Sequence, residues 1–176
     1  MIAAVPFMLP FRFLHIVSGA LWVGSAFLFA AFLGPSAAEV GPGAMPLLTV
    51  MVKKRKVHKV ITYLAMTTVT AGWIMWLRDM NDYGGLSDWL GTRFGVVLTI
   101  GAVLATVAFF VGYYGVGKNV EKLVDLGGEM GSGDGPPAPE KMAAMQHVGA
   151  ELEKHSKIDL VLLLLAVTAM STARYW

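Results

Sequence analysis

Four titratable side chains stand inside or at the edges of apolar stretches, where a charge is expensive: His15, His58, His155 and Asp159. A histidine there suggests a metal or a planar cofactor, because a neutral imidazole nitrogen is a good iron ligand. His15 precedes Gly19 by one helical turn and Trp22 by two, so the three share a helix face. An imidazole, a glycine notch and an aromatic ring on one face suit a flat macrocycle such as haem b.

His58 and His155 each precede an apolar core by a few residues, on stretches that run in the same direction. They are expected at similar depth, where they can clamp one haem if their helices face each other. Asp159 lies one turn beyond His155, placed to accept the proton of one ring nitrogen and turn the other towards a metal, or to pair with Lys59 or Lys157. His147 is expected on a solvated helix face. His15 and the other two histidines are separated by about 20 helical residues, roughly 30 Å at 1.5 Å per residue, so they cannot ligate one iron. Met75, Met80, Met170 or water remain as a second axial ligand for His15. The 11 methionines also keep copper open as an alternative, since thioether and imidazole suit Cu(I).

These residues must be held by helices in a membrane. The chain has 176 residues, 56% of them hydrophobic and 15% charged, with a mean hydropathy of +0.61, too apolar for an ordinary soluble domain. The net charge of +2 does not indicate nucleic acid, because Lys and Arg gather at the ends of apolar runs. The absence of cysteine excludes disulfides, thiolate-ligated haem and iron–sulfur clusters.

Residues 13–33 form an apolar run with His15 as its one titratable group, too long for the core of a signal peptide. Further runs cover 60–77, 94–116 and 160–173. The last is short, but Lys157 and Arg174 can snorkel to opposite interfaces and Tyr175 and Trp176 form an interfacial pair. The expected fold is all-α: one domain, an up-down bundle of four transmembrane helices at about 11–33, 57–77, 94–116 and 158–174.

Ten Lys and Arg fall on the side of the first and third loops and four on the other, which places both termini outside the cytoplasm of a plasma, or bacterial inner, membrane. Gly34 and Pro35 are expected to close the first span. A helix from Pro46 through the basic cluster should enter the second, and helical extensions should flank a flexible tip at 127–139. The small residues Gly101, Ala105, Ala108 and Gly112 predict close helix packing and make a homodimer plausible.

The run His15-x3-Gly19-x2-Trp22-x-Gly24 resembles the first helix of several four-helix membrane families: copper-resistance-D-like proteins, the membrane part of cytochrome-type urate oxidases, and HemJ-type protoporphyrinogen oxidases. The last is the longest match. Its second helix, entered through a basic segment, is similar to Lys54-Arg55-Lys56 followed by Ile61-Thr62. The start of its third is similar to Trp89-Leu90 with Arg93. The resemblance implies a haem- or porphyrin-handling bundle in which His15 is functional and Arg55, Lys56 or Lys59 supplies a basic group. The chain departs from that family at Gly91, where a His is usual, and it lacks the Asn-Glu-x-Pro start of the last helix. With His58 and His155, these departures point to a cytochrome-like relative, a b-type haem protein of electron transfer or of oxidation of a small or tetrapyrrole substrate.

Overall fold

The computed structural model describes residues 4–131 and 138–176, and all the regular structure in them is helical. The elements are α1 (Ala4–Leu28), α2 (Gly34–Val40), α3 (Met45–Thr49), α4 (Val57–Asp82), α5 (Leu86–Leu90), α6 (Arg93–Phe110), α7 (Lys118–Gly131) and α8 (Pro139–Thr172). Wider π-helical segments join several of them: Phe29–Leu33, Val50–Lys54 and Val111–Gly117. Four helical stretches are long and apolar enough to cross a membrane.

α1 packs on α4, α4 on α6, α6 on α8 and α8 on α1, closing a ring. One layer of the core holds a residue from each: Trp22, Ala65, Ala108 and Leu163. The large indole of Trp22 fills the space left by the two alanines. The contacts of His15 with Gly72 and of Gly19 with Thr68 run in opposite order along α1 and α4, so these helices are antiparallel. Gly101 beside Met170, Gly112 beside Asp159 and Gly115 beside His155 give the same result for α6 and α8.

The chain buries few side chains and presents many large apolar ones outward, including Phe13, Ile16, Leu21, Val60, Ile100, Val103, Val161 and Leu165. Such a surface on all sides of a bundle suits hydrocarbon as the solvent. At one end Trp73, Trp76, Trp89, Tyr83 and Phe94 form a chain of edge-to-face contacts. Thr99 Oγ1 accepts the indole N–H of both Trp76 (2.9 Å) and Trp89 (3.2 Å), and Thr106 accepts that of Trp73 (3.0 Å).

Two local expectations change. Gly34 and Pro35 do not end the first helix. The π segment Phe29–Leu33 precedes them, and the Gly34 N–H bonds to Phe29 O, so the widened turn absorbs the proline that would break a regular helix. The chain reverses instead at Gly41, whose φ of +66° a glycine tolerates. Met45, Lys53 and His58 then meet Gly127, Asp125 and Glu121 in turn, so the returning segment runs antiparallel to α7. It breaks once before α4, at Lys56 with φ +53°.

α7 also continues to Gly131, beyond the expected start of the flexible tip, with Met45 packed on Gly127 and Lys141 Nζ 3.0 Å from Glu129. The remainder of that tip, 132–137, lies outside the described residues, and Pro139 begins α8. The small residues of α6 are used within the chain: Gly101, Ala105 and Ala108 are buried, and Gly101 lies under Ala166 and Met170 of α8. That part of the face is packed against α8.

Candidate functional site

His15 lies between α1 and α4. Its Nδ1 is 2.8 Å from the carbonyl oxygen of Thr68. A carbonyl only accepts, so Nδ1 carries the proton, and in the neutral ring Nε2 is left with its lone pair. The ring rests on Gly72, where a Cβ would stand 2.8 Å from Cε1 and 3.0 Å from Nδ1. Gly19 and Trp22 face α4 as the helical spacing predicts. The notch at Gly19 receives the methyl of Thr68, 3.2 Å from where a Cβ would be, and Trp22 sits in the core layer. Ser18, buried on the same face, brings its hydroxyl within 2.8 Å of that of Thr68.

Helix register places Met170 at the height of His15. Trp22 and Leu163 share a layer, and seven residues along each antiparallel helix lead to His15 and Met170. Seven residues are about two turns, so both stay on the core-facing side of their helices. Met170 packs on Gly101 from α8.

His58 and His155 lie at the other end. His58 Nε2 is 2.7 Å from Glu121 Oε1, off the line a hydrogen bond requires, and the His58 side chain is 12% exposed. His155 Nδ1 donates to the Glu151 carbonyl at 2.7 Å, and its ring packs on Gly115. The orienting contact expected from Asp159 is thus made by the Glu151 backbone one turn earlier. The polar contacts of the two imidazoles go to Glu121 and to Glu151, not to each other. α4 and α8, which carry them, sit diagonally in the ring.

Asp159 is buried, with its carboxylate against Gly112 and no hydrogen bond to Oδ1. Lys157 turns instead to Glu153 at 2.6 Å. Lys59, Arg93 and His147 are exposed.

His15 stands level with Gly72, and His58 lies fourteen residues further down α4. The separation in depth is therefore about 21 Å, less than the 30 Å expected from span lengths but still too large for one iron. Among the described residues no group of three or more His, Cys, Asp or Glu side chains converges.

Sequence reasoning missed Thr68, Gly72, Glu121 and Glu151. Gly72 follows Ala71 within the second apolar run, a weak sign of close approach. Nothing local marks the other three. No protein-family model, curated protein or solved structure matches the chain.

Proposed function

We propose that this is an integral membrane protein that binds a b-type haem through His15 and serves electron transfer or the oxidation of a small or tetrapyrrole substrate. In this reading the four long helices span a plasma membrane, with the basic extensions in the cytoplasm and both termini outside. The Lys and Arg bias and the apolar outer surface support that orientation.

The observation that carries the haem reading is the bond from His15 Nδ1 to the Thr68 carbonyl. It fixes the tautomer and leaves Nε2 as a neutral donor, the usual state of a metal-bound imidazole. The donor set fits. A porphyrin brings most of the iron's ligands with it, so the protein need supply only one or two. Met170, at the height of His15, would be the second residue to hold it, through its thioether. When bound, haem supplies a one-electron couple. The residues here would fix the imidazole and offer the thioether. Neither His58 nor His155 belongs to the site proposed. A bare copper ion would need more protein donors than this end of the bundle gathers.

The test is an absorption spectrum of the detergent-purified protein, oxidised and dithionite-reduced, with a pyridine haemochrome assay. A Soret band that shifts on reduction and is lost in His15→Ala, but kept in His58→Ala and His155→Ala, is the expected result. A featureless spectrum after haem-replete expression overturns the reading.

A further inference from the structure

We propose that Glu151, His155 and Asp159 form a proton-access ladder along α8, through which the buried Asp159 carboxyl exchanges its proton with water at the basic end of the bundle. The three are spaced by four residues, so they lie one above another on a single helix face, about 6 Å apart at Cβ. Their exposure is graded inward: the side chains of Glu151 and His155 are 35% and 30% exposed, and Asp159 is 6% exposed.

A carboxyl at that depth needs a proton or a cation as partner. Among the described residues no group of three His, Cys, Asp or Glu side chains converges there. Asp159 faces the bare surface of Gly112. The proton is the partner proposed, and a proton needs a route.

His155 supplies one. Its Nδ1 bonds to the Glu151 carbonyl and lies 3.6 Å from Glu151 Oε2, so this nitrogen faces the half-exposed carboxylate. Nε2 is the ring's bare nitrogen in that tautomer. His155 and Asp159 make no ion pair or hydrogen bond with each other, so for release Asp159 gives its proton to Nε2 through intervening water, and the imidazolium passes the Nδ1 proton to the Glu151 carboxylate. Asp159 loses one proton and Glu151 gains one. The ring ends neutral as its other tautomer and resets by exchange with water. Uptake is the reverse.

The surrounding titratable groups are engaged elsewhere. Tyr113 and Tyr114 of the adjoining π segment lie under the Lys118 ammonium, Glu121 is at His58, and Asp125 is at Lys53. Glu129 is at Lys141; Lys122, the remaining titratable group of α7, is exposed, and so is Lys154, which lies 3.8 Å from Glu151. α1 brings only Arg12 and His15, both at the opposite end, and Phe29–Leu33 brings none. Inward of Asp159 the layer of Trp22, Ala65, Ala108 and Leu163 closes the path. The ladder therefore delivers a proton to the interior and no farther.

The experiment is attenuated-total-reflection infrared spectroscopy of the protein in lipid nanodiscs. A protonated carboxyl C=O band that vanishes in Asp159→Asn identifies the group. On changing to deuterated buffer, the band should downshift rapidly in the unmodified protein. The shift should be slower by on the order of a hundredfold in His155→Gln and in Glu151→Gln, and unchanged in Glu153→Gln. Should Asp159→Asn fail to fold, Asp159→Glu must displace the band and show the same dependence. Unslowed exchange in both ladder variants overturns the proposal. So does the absence of any Asp159 carboxyl band, or a band that emerges only when sodium and potassium are replaced by a bulky organic cation.

Discussion

The imidazole of His15 and the backbone of Gly72 are in such close contact that a single methyl group at 72 would lie 2.8 Å from Cε1. The ring belongs to Thr68 and Gly72 of α4 as much as to its own helix. Gly72→Ala should therefore displace His15 from the Thr68 carbonyl. A loss of about 1–3 kcal/mol in stability is expected, from overpacking a helix–helix contact. Chemical denaturation of the detergent-solubilised protein reads the stability. If His15 holds haem as proposed, the same variant should lose haem content towards the level of His15→Ala, while Gly24→Ala, with open space at its Cβ position, should not.

The indole pair of Trp76 and Trp89 meets at one hydroxyl. Thr99 Oγ1 accepts both N–H groups and itself donates to the Gly95 carbonyl at 2.6 Å. Trp89 is fully buried, so its donor has no water to turn to. Thr99→Val keeps the shape and removes the acceptor, and should destabilise the protein by about 1–3 kcal/mol. A lowered thermal midpoint with a changed near-ultraviolet circular dichroism spectrum would record it. An unchanged midpoint would mean that the indoles find other acceptors.

Two glycines make opposite predictions. A Cβ at Gly95 would run into the Trp89 carbonyl and stand 2.9 Å from Thr92 Oγ1, the hydroxyl that caps α6 by accepting the Gly95 N–H. Neither atom can swing aside, so Gly95→Ala should cost about 3 kcal/mol. A Cβ at Gly149, inside α8, meets nothing within 4 Å. Gly149→Ala should stabilise by about 0.5–1 kcal/mol through the unfolded chain's lost freedom. Denaturation midpoints of the two variants, measured side by side, check both signs.

The four long helices were legible because an apolar run of membrane length has few other uses, and the shared face of His15, Gly19 and Trp22 followed from helical periodicity. What fills that face was not legible. Thr68 and Gly72 reach it through a register between α1 and α4 that no local pattern states. The reversal at Gly41 was hidden for a different reason. Pro35 reads as a helix end, but a π turn before it accommodates the ring and moves the break to the next glycine. Asp159 was expected to steer His155, yet a backbone carbonyl on the same helix was nearer to Nδ1 than a carboxylate one turn on.

The orientation in the membrane can be read directly, because the chain has no cysteine of its own. Single-cysteine variants at Lys54, Lys141, Ser87 and Arg174 place a thiol at exposed positions, two at the basic end and two at the other. A membrane-impermeant maleimide applied to intact cells should label the variants at Ser87 and Arg174. It should reach those at Lys54 and Lys141 only after the membrane is permeabilised, since the Lys- and Arg-rich loops are retained in the cytoplasm. The reverse pattern would invert the topology and place the His15 end inside, next to cytoplasmic electron donors. Labelling of all four in intact cells would mean that these helices do not span the bilayer.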